Sequence, residues 1–109
     1  MAKMLTPPAR AAARLLGAQV AAARRRHRWP AARVAEQANI SVTTLRKVER
    51  GDPSVALGTV LEVAVLVGVP LFGVEAEDLG DLTGRVEDRL ALLPKRVAPI
   101  GDEGLDDDF

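Results

Sequence analysis

Residues 30–51, PAARVAEQANISVTTLRKVERG, decide how this chain folds. Pro30 stands where a missing amide hydrogen does no harm, at the opening of a helix, and Val34 and Ala38 follow four apart on one face. Asn39 tolerates the left-handed backbone that stops a helix and turns the chain sharply, and Ser41 is suited to cap the helix that follows. That next helix is expected over about Val42–Arg50, with Leu45 and Val48 joining Ile40 in the core and Gly51 as its stop. Its outer face then carries Thr43, Thr44, Arg46 and Lys47.

Working outward, Thr6 is a helix cap ahead of Pro7 and Pro8, and a first helix should run to about His27. Leu16, Val20 and Ala23 form its apolar stripe, and Gly17 inside it marks a kink or a close backbone contact. Trp29 and Pro30 should break this helix, with Trp29 plugging the core between the first two helices. Downstream, Asp52-Pro53-Ser54 reads as a loop. Leu57, Val60, Leu61, Ala64 and Val67 give a fourth helical stripe ending at Gly68, with Val63, Val65 and Leu66 off it. A helix apolar nearly all round implies a partner surface, so dimer contacts are expected from Val65, Leu66, Val69, Leu71, Phe72 and Val74 together with the last helix. Pro70 to Val74 should make a short apolar turn or helix. Leu82, Val86, Leu90 and Leu93 predict a final amphipathic helix that Pro94 breaks. The expected fold is all-α: an N-terminal arm (1–8), a compact five-helix domain (9–80), a further C-terminal helix (81–93) and a disordered acidic tail (94–109).

Composition narrows the function classes. Residues 1–50 hold eleven Lys and Arg against Glu36 and Glu49, net +9, and the remainder holds four against thirteen acids, net −9. The formally neutral chain is a dipole whose basic half suits a polyanion. Without cysteine, and with His27 as the one imidazole, thiolate metal sites and disulfides are excluded and no metal or other cofactor is expected. No nucleophile–base pair, paired catalytic carboxylates or glycine-rich phosphate loop is present, so no enzyme is expected. Neither the start of the sequence nor the apolar stretch from Val55 to Val74, interrupted by Gly58, Glu62, Gly68, Pro70 and Gly73, reads as a signal or membrane segment, and a soluble cytoplasmic protein is expected.

Two short helices joined by a tight turn, inside a basic half, have the spacing of a helix-turn-helix, whose second helix enters the DNA major groove. Ser41, Val42, Thr43 and Thr44 would lead, with Thr43 and Arg46 reading bases. Lys47 and Arg50, and Arg24, Arg25 and Arg28 at the end of the first helix, are placed for phosphates. Helix-start capping competes with base contact at Thr43 and Thr44, and a merely solvated face competes at the arginines. The run Leu16–Leu71, above all Val34-Ala35-Glu36-Gln37-Ala38, Ile40-Ser41, Leu45 and Val48-Glu49-Arg50-Gly51, resembles the phage-repressor and Cro-like family. Glu49-Arg50-Gly51-Asp52-Pro53, then Val55–Val60 and Leu93–Val97, resembles its HipB-type antitoxins. The resemblance implies a dimer on a palindromic double-stranded operator, autorepression, and capture of a HipA-like kinase toxin. Many members open the second helix with a phosphate-binding glutamine, where this chain has Pro30, Ala31 and Ala32; Arg33, one turn on, would substitute electrostatically. A stand-alone regulator, or a protein-interaction module whose acidic tail binds a partner through Leu105 and Phe109, fits the same residues, as does a tail that folds back over the arginines.

Overall fold

The computed structural model describes residues 4–98. The expected acidic tail beyond Ala98 lies outside them. By its internal contacts the chain divides into two units, one reaching Glu77 and one starting at Asp78. The first contains α1 (Pro7–Arg26), α2 (Ala31–Ala38), α3 (Val42–Arg50) and α4 (Leu57–Val67). A single 3-10 turn, Ala76–Asp78, leads to α5 (Leu79–Ala91). The described residues form no strand beyond an isolated bridge between Leu71 and Val74, so the fold is all-α as expected.

Each of the first four helices ends the same way. A residue past the helix turns left-handed, the first one at Asn39, Gly51 and Gly68 (φ 59°, 74° and 87°) and, after a right-handed His27, the second one at Arg28 (φ 60°). The next amide then bonds back five residues: Trp29 to Arg24, Ile40 to Ala35, Asp52 to Lys47, and Val69 to Ala64. These bonds satisfy carbonyls that a helix end otherwise leaves open, and they fold the chain back on itself within two residues. Asn39, Gly51 and Gly68 were legible as stops. Arg28 was not, because arginine has no preference for that conformation. Helix starts follow the sequence too: the Thr6 hydroxyl accepts from the Ala9 amide and the Ser41 hydroxyl from the Thr44 amide.

Val20 and Ala23 of α1, Val34 and Ala35 of α2, Leu45 and Val48 of α3, and Val63, Ala64 and Val67 of α4 build one core. Trp29 packs against it from the α1–α2 link, as expected of a plug. Gly17 marks a close approach: a Cβ there would lie 2.5 Å from the Val48 carbonyl oxygen. Gly51 mirrors it, where a Cβ would lie 2.6 Å from the Ala13 carbonyl oxygen. The middle of α1 thus lies directly on the end of α3.

Three expectations need correction. In α4 the inward stripe is Val60, Val63, Ala64 and Val67, whose 3–4 spacing closes on the core, whereas Leu57 is 71% exposed because its first-turn position projects past the neighbouring helices. Val69, expected at a dimer surface, is 7% exposed, because the turn after Gly68 swings it back under α4. The last helix starts at Leu79 rather than 81, since the preceding 3-10 turn feeds into it, and it contains no buried residue. The segment from Leu71 to Val74 is a tight turn closed by the Val74 amide on the Leu71 carbonyl, with Phe72 and Gly73 both at positive φ.

Candidate nucleic-acid interface

α3 begins at a capped corner. With Asn39 left-handed and Ser41 extended (φ −77°, ψ 158°), the chain reverses and sends Val42 into the helix. Leu45 and Val48 then anchor one face completely, leaving the opposite face outside. Thr43, Arg46 and Arg50 are exposed there, and Thr44 and Lys47 are half-buried beside them. Among the described residues, neither Thr43 nor Arg46 has a hydrogen-bond or ion-pair partner within the protein. Threonine methyl and hydroxyl groups with a guanidinium, on a helix free on one side, can meet thymine methyls, base edges and guanine in a groove about 12 Å wide.

The other leading residues are spoken for in part. The Ser41 hydroxyl bonds the Thr44 hydroxyl at 3.0 Å and accepts the Thr44 amide at 3.0 Å, so the capping role weighed against base contact is present for this pair. Val42 is half-buried against the core.

α3 is held in position by a residue the sequence reading assigned elsewhere. Arg24, expected on phosphate, instead directs its Nε at 2.6 Å and an Nη at 3.2 Å to the two carboxylate oxygens of Glu49. Its other Nη donates to the Trp29 carbonyl at 2.9 Å. Both side chains of the ion pair are 13% exposed. The Glu49 hydrogen bond raises the Arg24 pKa further above its already high ordinary value, so the guanidinium is permanently charged. One side chain therefore ties α1, the α1–α2 link and α3 together, and a fork-to-fork pair fixes orientation as well as distance. Glu49 was missed as a bracing residue. Its signal was being the only acid in a helix with three cations.

The remaining cations flank this frame. Arg25 and Arg28 are exposed at the end of α1, and the C-terminal end of a helix favours their positive charge. His27 stacks on Trp29, ring centroids 4.1 Å apart, and Arg33 lies over the Trp29 ring with its guanidinium carbon 5.2 Å from the centroid. Arg33 therefore gains a cation–π contact at the start of α2, where the expected substitute for the missing glutamine belongs. Just past the end of α3, Asp52 accepts the Ser54 amide and hydroxyl, which hold its carboxyl below the ordinary 3.8.

Of the apolar residues expected at a dimer surface, Phe72 (80%) and Val65 (43%) are exposed, whereas Leu66 and Leu71 pack in part against the protomer's own core and Val74 is half-buried. Among the described residues, no helix is long and apolar enough to cross a membrane.

No curated protein and no solved structure matches the chain significantly. The family model described as a helix-turn-helix domain matches residues 15–79, a span that starts within α1 and includes α2, the Asn39 corner, α3 and α4. Since that match takes in more than half of the chain and contains the braced, outward-facing α3, the protein belongs to the helix-turn-helix domain family.

Proposed function

We propose that this chain is a sequence-specific DNA-binding repressor that acts as a dimer on a palindromic operator and has no catalytic role. The observation that carries the reading is the exposed, unpartnered Thr43–Arg46 face on a helix whose back is buried and whose end is clamped by Arg24 and Glu49. Thr43 and Arg46 read bases. Lys47, Arg50, Arg25, Arg28 and Arg33 bind phosphates, and Ser41, Val42 and Thr44 set the leading end. Arg24 acts by bracing the frame. Two α3 helices presented by a dimer reach half-sites about 34 Å apart, one helical turn of DNA. Val65 and Phe72 are the exposed apolar groups for that pairing.

Selection of bound sequences from random duplexes, followed by anisotropy titration across salt, tests the reading. A palindromic consensus should emerge, with log K falling against log[salt] at a slope near about −5 if six phosphates are neutralised. Arg46→Ala should cost about 1–3 kcal/mol and relax one position of the consensus. Absence of any enriched sequence would refute it. The finer assignment as antitoxin to a HipA-like kinase rests on the resemblance at residues 49–60 and 93–97. Its test is whether co-expressed kinase co-purifies with this chain.

A further inference from the structure

The α3 face assigned to the major groove does not stop at Arg46. Thr43, Arg46 and Arg50 follow at steps of three and four, share one side of the helix and are all exposed. At 1.5 Å per residue they span about 10 Å, close to the width of a major groove, about 12 Å. With Thr43 and Arg46 on bases, Arg50 reaches the phosphates that wall the groove. What stands beside Arg50 comes from α1. A Cβ at Gly51, the next residue, would lie 2.6 Å from the Arg14 Cα and 2.6 Å from the Ala13 carbonyl oxygen, so the two backbones touch there. Arg10 is one turn earlier on the same face of α1. Arg10, Arg14 and Arg50 line one surface groove, and all three are exposed. Asp52 lines it too, but its Oδ1 already accepts the Ser54 amide at 2.9 Å and the Ser54 hydroxyl at 2.7 Å. Three guanidiniums beside one carboxylate leave a positive charge that an added anion offsets.

We propose that Arg10 and Arg14 join Arg50 in a clamp on the DNA backbone, holding phosphate oxygens at the edge of each half-site. The clamp rests on the reading of α3 as the helix in the major groove. Both α1 arginines precede residues 15–79, the span that the helix-turn-helix family model matches, so the role is particular to this chain's longer α1. The planar fork of arginine suits paired phosphate oxygens. An acidic protein surface would also satisfy three arginines, but the groove continues the Thr43, Arg46 and Arg50 face, and that continuity favours DNA. The tight crossing at Gly17 and Gly51 fixes the two α1 arginines relative to α3, so backbone holding and base reading share one register.

Titration of the full chain against its selected duplex across salt tests the clamp. Arg10→Gln/Arg14→Gln should weaken binding by about tenfold per lost contact at 0.1 M salt and flatten the slope of log K against log[salt] by about 2. The selected consensus should stay the same, because phosphate contacts carry no base information. Both positions are exposed, and an unchanged thermal melt checks the fold of the variant. Arg10→Lys/Arg14→Lys, which keeps both charges, should keep the parental slope. Methylphosphonates, which neutralise one phosphate at a time, separate direct contact from a general field. At least one position flanking each half-site should weaken the parent and be silent in Arg10→Gln/Arg14→Gln. A parental slope in that variant, or a loss with no position that distinguishes it from the parent, would overturn the clamp and leave the role of α3 standing. Failure of the parent to bind DNA would overturn both.

Discussion

Alanine for glycine inside a helix ordinarily stabilises by about 1 kcal/mol, because glycine surrenders more backbone freedom on folding. At Gly17 the sign should reverse. A Cβ placed there lies 2.5 Å from the Val48 carbonyl oxygen, 2.7 Å from that of Glu49 and 2.7 Å from the Gly51 nitrogen. All three are backbone atoms, so no rotamer change relieves the clash, and ordinary contact at 3.4 Å requires α1 and α3 to part by about 0.9 Å. Overpacking of this kind costs about 1–3 kcal/mol, and the rigid neighbours put Gly17→Ala at the upper end. After the propensity gain the net loss is about 2 kcal/mol, or about 8–16 °C in Tm at about 4–8 °C per kcal/mol. Thermal and urea unfolding followed by circular dichroism measure it. Gly58→Ala is the internal control: nothing lies within 4 Å of its Cβ, so it should hold or raise Tm. A Gly17→Ala protein as stable as its parent would refute the close crossing, and with it the account of how α1 positions α3.

Three further outcomes can be checked with the same unfolding assay. Arg28→Gly should raise stability by about 1 kcal/mol, since a left-handed non-glycine residue costs about 1–2 kcal/mol, while weakening DNA binding through the lost cation. Glu49→Gln should cost about 1.5–3 kcal/mol, the range for hydrogen bonds to a charged group, because its Arg24 partner stays behind with 13% exposure. Asp52 has a folded-state pKa below its ordinary 3.8, set first by the Ser54 amide, so its contribution is present above pH 3.8 and is lost as pH falls through the lowered value. Tm measured from about pH 5 to 2 should therefore decline more steeply in the parent than in Asp52→Asn.

Local chemistry made much of this fold legible. Thr6 and Ser41 as caps, and Asn39, Gly51 and Gly68 as stops, are decided by each residue's own hydrogen-bonding and backbone preferences, and each stands where it was expected. Leu45 and Val48 follow from helical period alone, and so does the outward direction of Thr43 and Arg46 between them. In α4 the same period failed. Apart from Thr59 and Glu62 every position there is glycine or apolar, so the spacing carries little contrast, and only the packed neighbours distinguish buried Val63 from exposed Leu57.

By itself the sequence determined where the chain is helical, where it turns and which side of α3 faces out, because those choices depend on neighbours within one or two helical turns. The tertiary structure decided what Arg24 does. Twenty-five residues separate it from Glu49, and whether a cation binds phosphate or a carboxylate depends on which group the fold brings within 3 Å. It likewise decided that Gly17 marks a crossing, that Val69 belongs inside, and that Arg10, Arg14 and Arg50 line one surface groove. These are distances between segments far apart in the chain, and no pattern along it records them.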